Sequence, residues 1–268
     1  MPELPEVETV CRTLRPHVDG RRIELVEVRE RRLRRPIASD FESRLLGRRI
    51  GGVRRRAKYV LLDLGDGEEW AVRLGMSGRF CVGAPPPALT HVHVVVHLER
   101  GGRLYYRDPR RFGLMLVTRG EADLGQLGVE PLSRGFTGDL LWRLRRNHRR
   151  ITVKSLLMDS RKVVGVGNIY ANEALFEAGV RPTRRFGRLT RREVERIAEA
   201  VPAVLRRAID SGGSSLLDYR DGEGRSGTFQ TQLHVYDRAG EPCRRCGATI
   251  RGTVLSGRGS FHCPRCQA

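Results

Sequence analysis

The 268-residue chain lacks any apolar run approaching the roughly 18 residues that a membrane span requires. It also lacks a basic segment leading into an apolar stretch at its start, so no secretory signal is visible and a cytoplasmic protein is expected. Lysine is nearly absent: of 50 basic residues only Lys58, Lys154 and Lys162 are lysine. Arginine cannot shuttle a proton and lysine can, which makes these three positions informative for chemistry. Acidic residues are few, 31 against the 50 basic ones, for a formal net charge of +19. That imbalance points to a polyanionic partner, with nucleic acid first. The opening "MPELPEVETV" has no basic residue at all, which excludes a disordered cationic arm.

Six cysteines in a cytosolic chain argue against a disulfide framework. Four of them stand as two C-x2-C pairs, Cys243 with Cys246 and Cys263 with Cys266, separated by 16 residues. This is the spacing of a four-thiolate zinc site, in which each tight knuckle brings two sulfurs to one corner of a tetrahedron. The segment between the pairs alternates like a hairpin and has Gly257 and Gly259 near its turn. With four protein ligands the predicted zinc is structural. Cys11 and Cys81 are expected to be small core residues.

The breakers divide the chain. Leu4, Val7, Val10, Leu14 and Val18 recur at helical spacing, and Asp19-Gly20 ends that helix. Residues 22–117 read as short strands with the hairpin signals "GDG" and "ERGG", which suggests a two-sheet sandwich. Helical runs follow, "TGDLLWRLRRN", "TVKSLLMD", "NIYANEALFEAGV" and "LTRREVERIAEAVPAVLRRAIDSGG". Pro202 in the last is expected to kink it or to begin a second segment. The predicted fold is a multidomain α+β protein. A β-sandwich domain with a leading helix spans 2–118, a connector 119–136, a helical domain 137–230 and a zinc hairpin 231–268.

"PELPEVETV" after Met1, "DPRRFG" at 108–113, "GVGNIYANEALF" at 165–176 and "CPRCQ" at 263–267 together resemble the bacterial formamidopyrimidine-DNA glycosylase family, end to end and in the family's order. "PELPE", "GMSG" and "GTFQTQLHVYDRAGEPC" favour this family over its endonuclease VIII relatives. The resemblance implies a helix–two-turn–helix motif in the helical domain. It also implies a bifunctional enzyme that removes 8-oxoguanine and formamidopyrimidines from double-stranded DNA and then cuts the abasic site. Such an enzyme is expected to act as a monomer in the bacterial cytoplasm, associated with the nucleoid.

Chemistry fits the opening. Loss of Met1 would free the secondary amine of Pro2. An α-amino group titrates near ~8 against ~10.4 for lysine, so its free base is far more abundant at neutral pH. Attack on C1′ of a deoxyribose gives an iminium, an electron sink for elimination. The resemblance makes Pro2 the nucleophile and Glu3 the proton donor, with Glu6 as the neighbouring carboxylate. A proline at a helix start, with glutamates favouring the helix dipole, would explain the same residues without chemistry.

The other candidates are carried over motif by motif. Lys58 matches the family lysine that assists β-elimination, although Ala57 replaces the usual preceding glycine. Met76, Arg110 and Phe112 match the wedge: Met76 fills the space of the extruded nucleotide, Phe112 presses between base pairs, and Arg110 bonds the orphaned base. Core packing is the alternative for Met76 and Phe112. His91 could touch a phosphate, but Val92 replaces the acid often found beside it, and core packing is open for His91 or His93. Arg150, Lys154 and Asn168, the last at a glycine turn before a helix, are expected to grip phosphates. Residues 216–230 match the segment that closes over the flipped base. Arg258, at the tip of the zinc hairpin, is implied in δ-elimination, and Ser260 stands where threonine is common. A different class of protein, a non-catalytic zinc-containing damage sensor, would have no need of the Pro2-Glu3 start.

Overall fold

The computed structural model describes residues 2–85, 89–214 and 222–268. It divides into two compact units, Met1–Gly125 with Ser211–Gln230, and Gln126–Asp210 with Thr231–Ala268. In this division the described residues 211–214 and 222–230 group with the sandwich. Residues 231–268 group with the helices.

The first unit opens with α1 (Leu4–Val18), whose buried face carries Leu4, Val7, Val10, Cys11, Leu14 and Val18. Each such aliphatic side chain contributes about 1.5–3 kcal/mol when withdrawn from water. Gly20, at φ +74°, turns the chain away from the helix end. Strands β1 (Ile23–Val28), β2 (Gly52–Arg56), β3 (Tyr59–Gly65), β4 (Glu68–Arg73), β5 (Arg79–Val82), β6 (Val92–Leu98), β7 (Gly102–Arg107) and β8 (Leu114–Thr118) follow, with a single-turn helix, α2 (Phe41–Leu45), between β1 and β2. They form two four-stranded antiparallel sheets, ordered β1-β6-β7-β5 and β2-β3-β4-β8. The expected hairpin at "GDG" is present: Asp66 and Gly67, both at positive φ, join β3 to β4. Trp70 lies at the centre of the core, edge-on to Phe41 at 5.8 Å and to Phe80 at 5.4 Å. Cys11 is buried as expected, and burial pushes its thiol up to about 12, so it is inert at neutral pH. Cys81 is only half-buried.

The second unit holds α3 (Gly138–Asn147), α4 (Val153–Met158), α5 (Asn168–Glu177), α6 (Arg191–Asp210) and the hairpin β9 (Arg251–Leu255) with β10 (Arg258–His262). Thr137 and Thr152 cap α3 and α4, each accepting a first-turn N–H at 3.2 Å. α6 runs unbroken through Pro202, so no second segment forms. Its buried stripe, which includes Val194, Ile197, Val201, Val204 and Leu205, continues on both sides of the proline and keeps the helix whole. α5 is buried almost all round, and its two buried polar residues are held by backbone. The Glu173 carboxylate accepts the N–H groups of His234, Val235 and Tyr236 at 2.8–2.9 Å. Asn172 Oδ1 accepts the Phe261 N–H of β10 at 2.8 Å. The helix of the "NIYANEALF" motif thus organises the approach to the zinc hairpin.

Candidate active site and nucleic-acid interface

α1 runs along β2 in a fixed register. Arg15 Nε donates to the Val53 carbonyl at 2.8 Å, Cys11 Sγ to the Arg54 carbonyl at 3.5 Å, and Arg55 Nε to Glu8 Oε2 at 3.2 Å. Residues 15, 11 and 8 face strand residues 53, 54 and 55, so the helix runs backwards along the strand. Its N-terminus therefore arrives at the β2–β3 turn, where Lys58 sits. Pro2, Val7 and Lys58 line one crevice there, together with Arg73, Leu74 and Gly75.

Glu3 is the N-cap of α1 and Leu4 its first residue, and Pro5 takes the second helical position. The helix-starting role available to a proline thus falls to Pro5, and Pro2 lies outside the helix. Glu3 and Glu6 form a capping box, in which the Glu3 N–H donates to Glu6 Oε2 at 2.8 Å. Glu6 Oε1 accepts a second backbone donor, the Ser214 N–H, at 2.8 Å. Both carboxylates are buried. One glutamate therefore links the start of α1 to the segment leading toward residue 215. The expected capping segment lies partly outside the described residues. Its far shoulder is tied down: the Gly222 N–H donates to Thr13 Oγ1 at 3.2 Å, and the Gly222 carbonyl accepts the Val82 N–H at 3.0 Å.

Ala57 and Lys58 are the two residues joining β2 to β3. Ala57 has φ +53°, which explains why glycine suits this position. An L-residue there carries a steric cost of about 1–2 kcal/mol.

Met76 and Phe112 are 40% and 43% exposed, which excludes a core role for either. The Arg110 guanidinium lies 4.8 Å from the centroid of the Phe112 ring. The two loops bearing these residues are braced by Asp108, which is fully buried. Its Oδ1 accepts Ser77 Oγ at 2.6 Å, and its Oδ2 accepts the Gly113 N–H at 2.7 Å and Tyr106 Oη–H at 3.2 Å. Ser77 Oγ in turn accepts the Arg110 N–H at 3.1 Å. Burial, then the Asp108 charge, pushes the Tyr106 phenol well up, so it stays a donor. A side chain at Gly75 would meet the Phe112 carbonyl at 2.5 Å, so the "GMSG" and "DPRRFG" loops touch backbone to backbone. Sequence reasoning missed Asp108; its place at the head of "DPRRFG", before a turn, was the available signal.

The two histidines separate. His93 is buried, with Nε2 2.7 Å from the Asp108 carbonyl oxygen, and is the core residue of the pair. His91 is exposed in a turn at φ +64°.

In the second unit Gly165, at φ +78°, precedes α5, and Asn168 begins the helix. The side-chain Oδ1 of Asn168 is buried without a hydrogen-bond partner. Arg150 is exposed. Lys154 departs from expectation: it is 2% exposed, and its Nζ donates to the Gly259 carbonyl and to Ser260 Oγ at 2.6 Å each. Its ammonium ties α4 to β10, and that burial argues against a direct phosphate contact. Ser260, where threonine is common, is the hydroxyl it bonds. Arg258 is exposed at the first position of β10, just after the Ser256-Gly257 turn, whose residues both have positive φ.

The sulfurs of Cys243, Cys246, Cys263 and Cys266 all lie within 4.8 Å of one another, with Cys243–Cys266 at 4.0 Å and Cys246–Cys263 at 3.4 Å. Tetrahedral zinc with bonds of about 2.3 Å places its sulfurs about 3.8 Å apart, so the set fits the ion. The Arg245 and Cys266 N–H groups each donate to a ligand sulfur at 3.4 Å, the bonding of tight knuckles. Gln267 locks the second knuckle: its Oε1 accepts the Cys263 N–H at 2.9 Å and its Nε2 donates to the Val180 carbonyl at 2.8 Å. The chain carries one structural zinc site.

A proline ahead of a buried helix, a lysine turn beside it, the exposed Met76, Arg110 and Phe112 and a four-cysteine zinc hairpin together point to the class of zinc-containing DNA glycosylases. Family models match in three stretches: the formamidopyrimidine-DNA glycosylase N-terminal domain over residues 1–115, its H2TH domain over 127–219, and the zinc finger found in FPG and IleRS over 240–268. Formamidopyrimidine-DNA glycosylases of Stutzerimonas stutzeri and Pseudomonas fluorescens are each 48% identical over 271 residues, covering 100% of this chain and of theirs. Among solved structures, the MutM (Fpg) protein of Thermus thermophilus is 42% identical, with a TM-score of 0.87 over 99% of this chain and 98% of that one. The Lactococcus lactis Fpg in complex with abasic-site DNA is 31% identical, with a TM-score of 0.89 over 99% of both. The chain belongs to the formamidopyrimidine-DNA glycosylase family.

Proposed function

We propose that the protein is a bifunctional DNA glycosylase and abasic-site lyase, acting on 8-oxoguanine and formamidopyrimidines in double-stranded DNA. The observation that carries this reading is the place of Pro2, outside the helix, in the crevice it shares with Lys58. Capping accounts for Glu3 and Glu6 and helix initiation for Pro5, but neither accounts for Pro2.

Once Met1 is removed, the Pro2 nitrogen attacks C1′ of the damaged nucleotide as the bond to the base breaks. Glu3 supplies a proton to the sugar, which eases departure of the base, and the Glu6 carboxylate stabilises the cation that develops. The resulting iminium accepts electrons as the C2′ proton is lost and the 3′ phosphate leaves, with Lys58 assisting. A second elimination, supported by Arg258, expels the 5′ phosphate. The product is a one-nucleotide gap with phosphates at both ends. The exposure of Met76 and Phe112 and the stacked Arg110 support their roles in filling the vacated space, wedging the stack and bonding the orphaned base, expected to be cytosine. Exposed Arg150 and exposed His91 suit backbone phosphates, and Asn168 at the first position of α5 would offer its side-chain N–H to one. Lys154 serves the same interface through the hairpin it holds. The enzyme acts as a monomer near the nucleoid, in keeping with the net charge of +19. Among the described residues no helix is long and apolar enough to cross a membrane.

Borohydride trapping on a duplex with one 8-oxoguanine opposite cytosine tests the reading, with undamaged duplex and Pro2→Gly as controls. A lesion-dependent covalent adduct that is lost with Pro2→Gly is expected. Tight binding without an adduct would instead make the protein a damage sensor, and an adduct only with oxidised pyrimidines would place it with the endonuclease VIII-like enzymes.

A further inference from the structure

Three arginines in a row precede the Lys58 turn, and each is tied to an acid. Arg54 meets Glu69 through two bonds of 2.8 Å, and Arg56 meets Glu121 at 2.8 Å. Arg55, the most buried of them at 8% side-chain exposure, does something different. Its Nε donates to Glu8 Oε2 on α1 at 3.2 Å, and its Nη1 donates to the Ala57 carbonyl at 3.1 Å. One rigid guanidinium thus joins the helix that follows Pro2 to the residue just before Lys58. The bonded carbonyl belongs to the peptide linking Ala57 to Lys58, so holding that oxygen fixes the plane from which the Lys58 side chain departs. Ala57 is also the residue at φ +53°, a conformation that persists only where its surroundings impose it.

We propose that Arg55 is a positioning residue: the Glu8–Arg55–Ala57 link holds the strained turn and so sets the Lys58 side chain relative to Pro2. This rests on the reading of Pro2 and Lys58 as the working groups. An arginine there that only balanced charge would have no need of the Ala57 carbonyl. The link instead ties position along α1 to direction at the turn, the two quantities that decide whether two amines meet one sugar.

The test compares wild type, Arg55→Met, Ala57→Gly and the double variant in single-turnover excision on the 8-oxoguanine duplex, with thermal melting alongside. Arg55→Met is expected to slow excision about tenfold, the equivalent of about 1.4 kcal/mol, with the duplex concentration for half-maximal rate nearly unchanged. Glycine adopts the left-handed turn without a strut, so Ala57→Gly in the Arg55→Met background should return most of the lost rate. An arginine that only stabilised the fold would lower melting equally in both backgrounds and leave the rate unrescued. A folded Arg55→Met protein with wild-type excision, or a double variant no faster than Arg55→Met, overturns the proposal. Should wild type give no lesion-dependent adduct, the proposed function fails instead, and melting alone decides the strut. Arg55→Met must then cost more with Ala57 than with Gly at 57, and equal costs sink it.

Discussion

Replacing Asp108 with Asn tests whether the proposed wedge is held from beneath. The change keeps size and shape but turns one acceptor oxygen into a donor. Asp108 receives Ser77 Oγ at 2.6 Å, the Gly113 N–H at 2.7 Å and Tyr106 Oη–H at 3.2 Å. Ser77 and Tyr106 are hydroxyls and can rotate to accept, but the Gly113 N–H cannot. If the amide nitrogen faces Gly113, a buried donor is orphaned; if it faces Ser77, Ser77 Oγ must accept from it beside the Arg110 N–H, and the Ser77 hydroxyl proton loses its carboxylate acceptor. A hydrogen bond to a charged group is worth about 1.5–3 kcal/mol, and either orientation loses one. At roughly 2–4 °C per kcal/mol for a chain of this size, the melting temperature of Asp108→Asn should fall by about 3–12 °C. The loops bearing Met76, Arg110 and Phe112 would then have to be ordered on binding. Affinity for a lesion duplex should drop more than affinity for undamaged duplex, read by fluorescence anisotropy on the two duplexes in parallel. Tyr106→Phe, which removes the longest of the three bonds and a 3.5 Å contact with the Leu74 carbonyl, should be the milder variant. An Asp108→Asn protein that melts with wild type and keeps its lesion preference would refute the bracing argument.

Two further outcomes follow from the structure. Stripping the metal with a strong chelator should melt the hairpin, since four crowded thiols replace a coordination that holds small zinc domains by about 10–16 kcal/mol. Intact protein should contain one zinc per chain by elemental analysis, and chelation should open residues 243–268 to protease; unchanged resistance would count against a structural metal. The Glu68 carboxyl is held below the usual range, first by its bond to Arg44 at 2.9 Å and then by Arg119, with Arg48 also bonded at 3.1 Å. A carboxyl lowered in the folded state adds stability that is present above its unfolded pKa of about 4.5 and is lost as pH falls through the folded value. Melting temperature should therefore decline below about pH 4.5, and Glu68→Gln should flatten that decline; parallel curves for the two proteins would remove Glu68 from the account.

What was legible in the sequence was whatever rests on near neighbours. The α1 stripe, the Asp66-Gly67 turn and the paired cysteines each follow from spacing within a few residues. What stayed hidden depends on partners far along the chain. Nothing near Lys154 announces that its ammonium ends on residues 259 and 260, and nothing near Glu173 announces three N–H groups sixty residues later. Lys154 looked available in sequence because hydrophobicity patterns report whether a residue can be buried, not whether a distant partner will make burial cheap. At Pro202 the local rule is real, but the apolar stripe around it keeps the helix in one segment despite the missing bond.

The meeting of Pro2 and Lys58 lies between these cases. Neither residue carries a local signal for the other, and 56 positions separate them. Yet the helix between Leu4 and Val18 and the strand Gly52–Arg56 are each readable from pattern, and once they lie antiparallel the contacts of residues 15, 11 and 8 with 53, 54 and 55 leave little freedom. An α-helix advances about 1.5 Å per residue and a strand about 3.3 Å, so three or four helix residues span between one and two strand residues. Extending the match by one step carries the helix to its first turn and the strand to Arg56, its last residue before the Ala57-Lys58 turn. The helix start therefore faces the turn because of where both elements stop. Helix length and strand length are thus part of the geometry of the proposed active site, and lengthening β2 by one residue would displace Lys58 even with every proposed catalytic side chain intact.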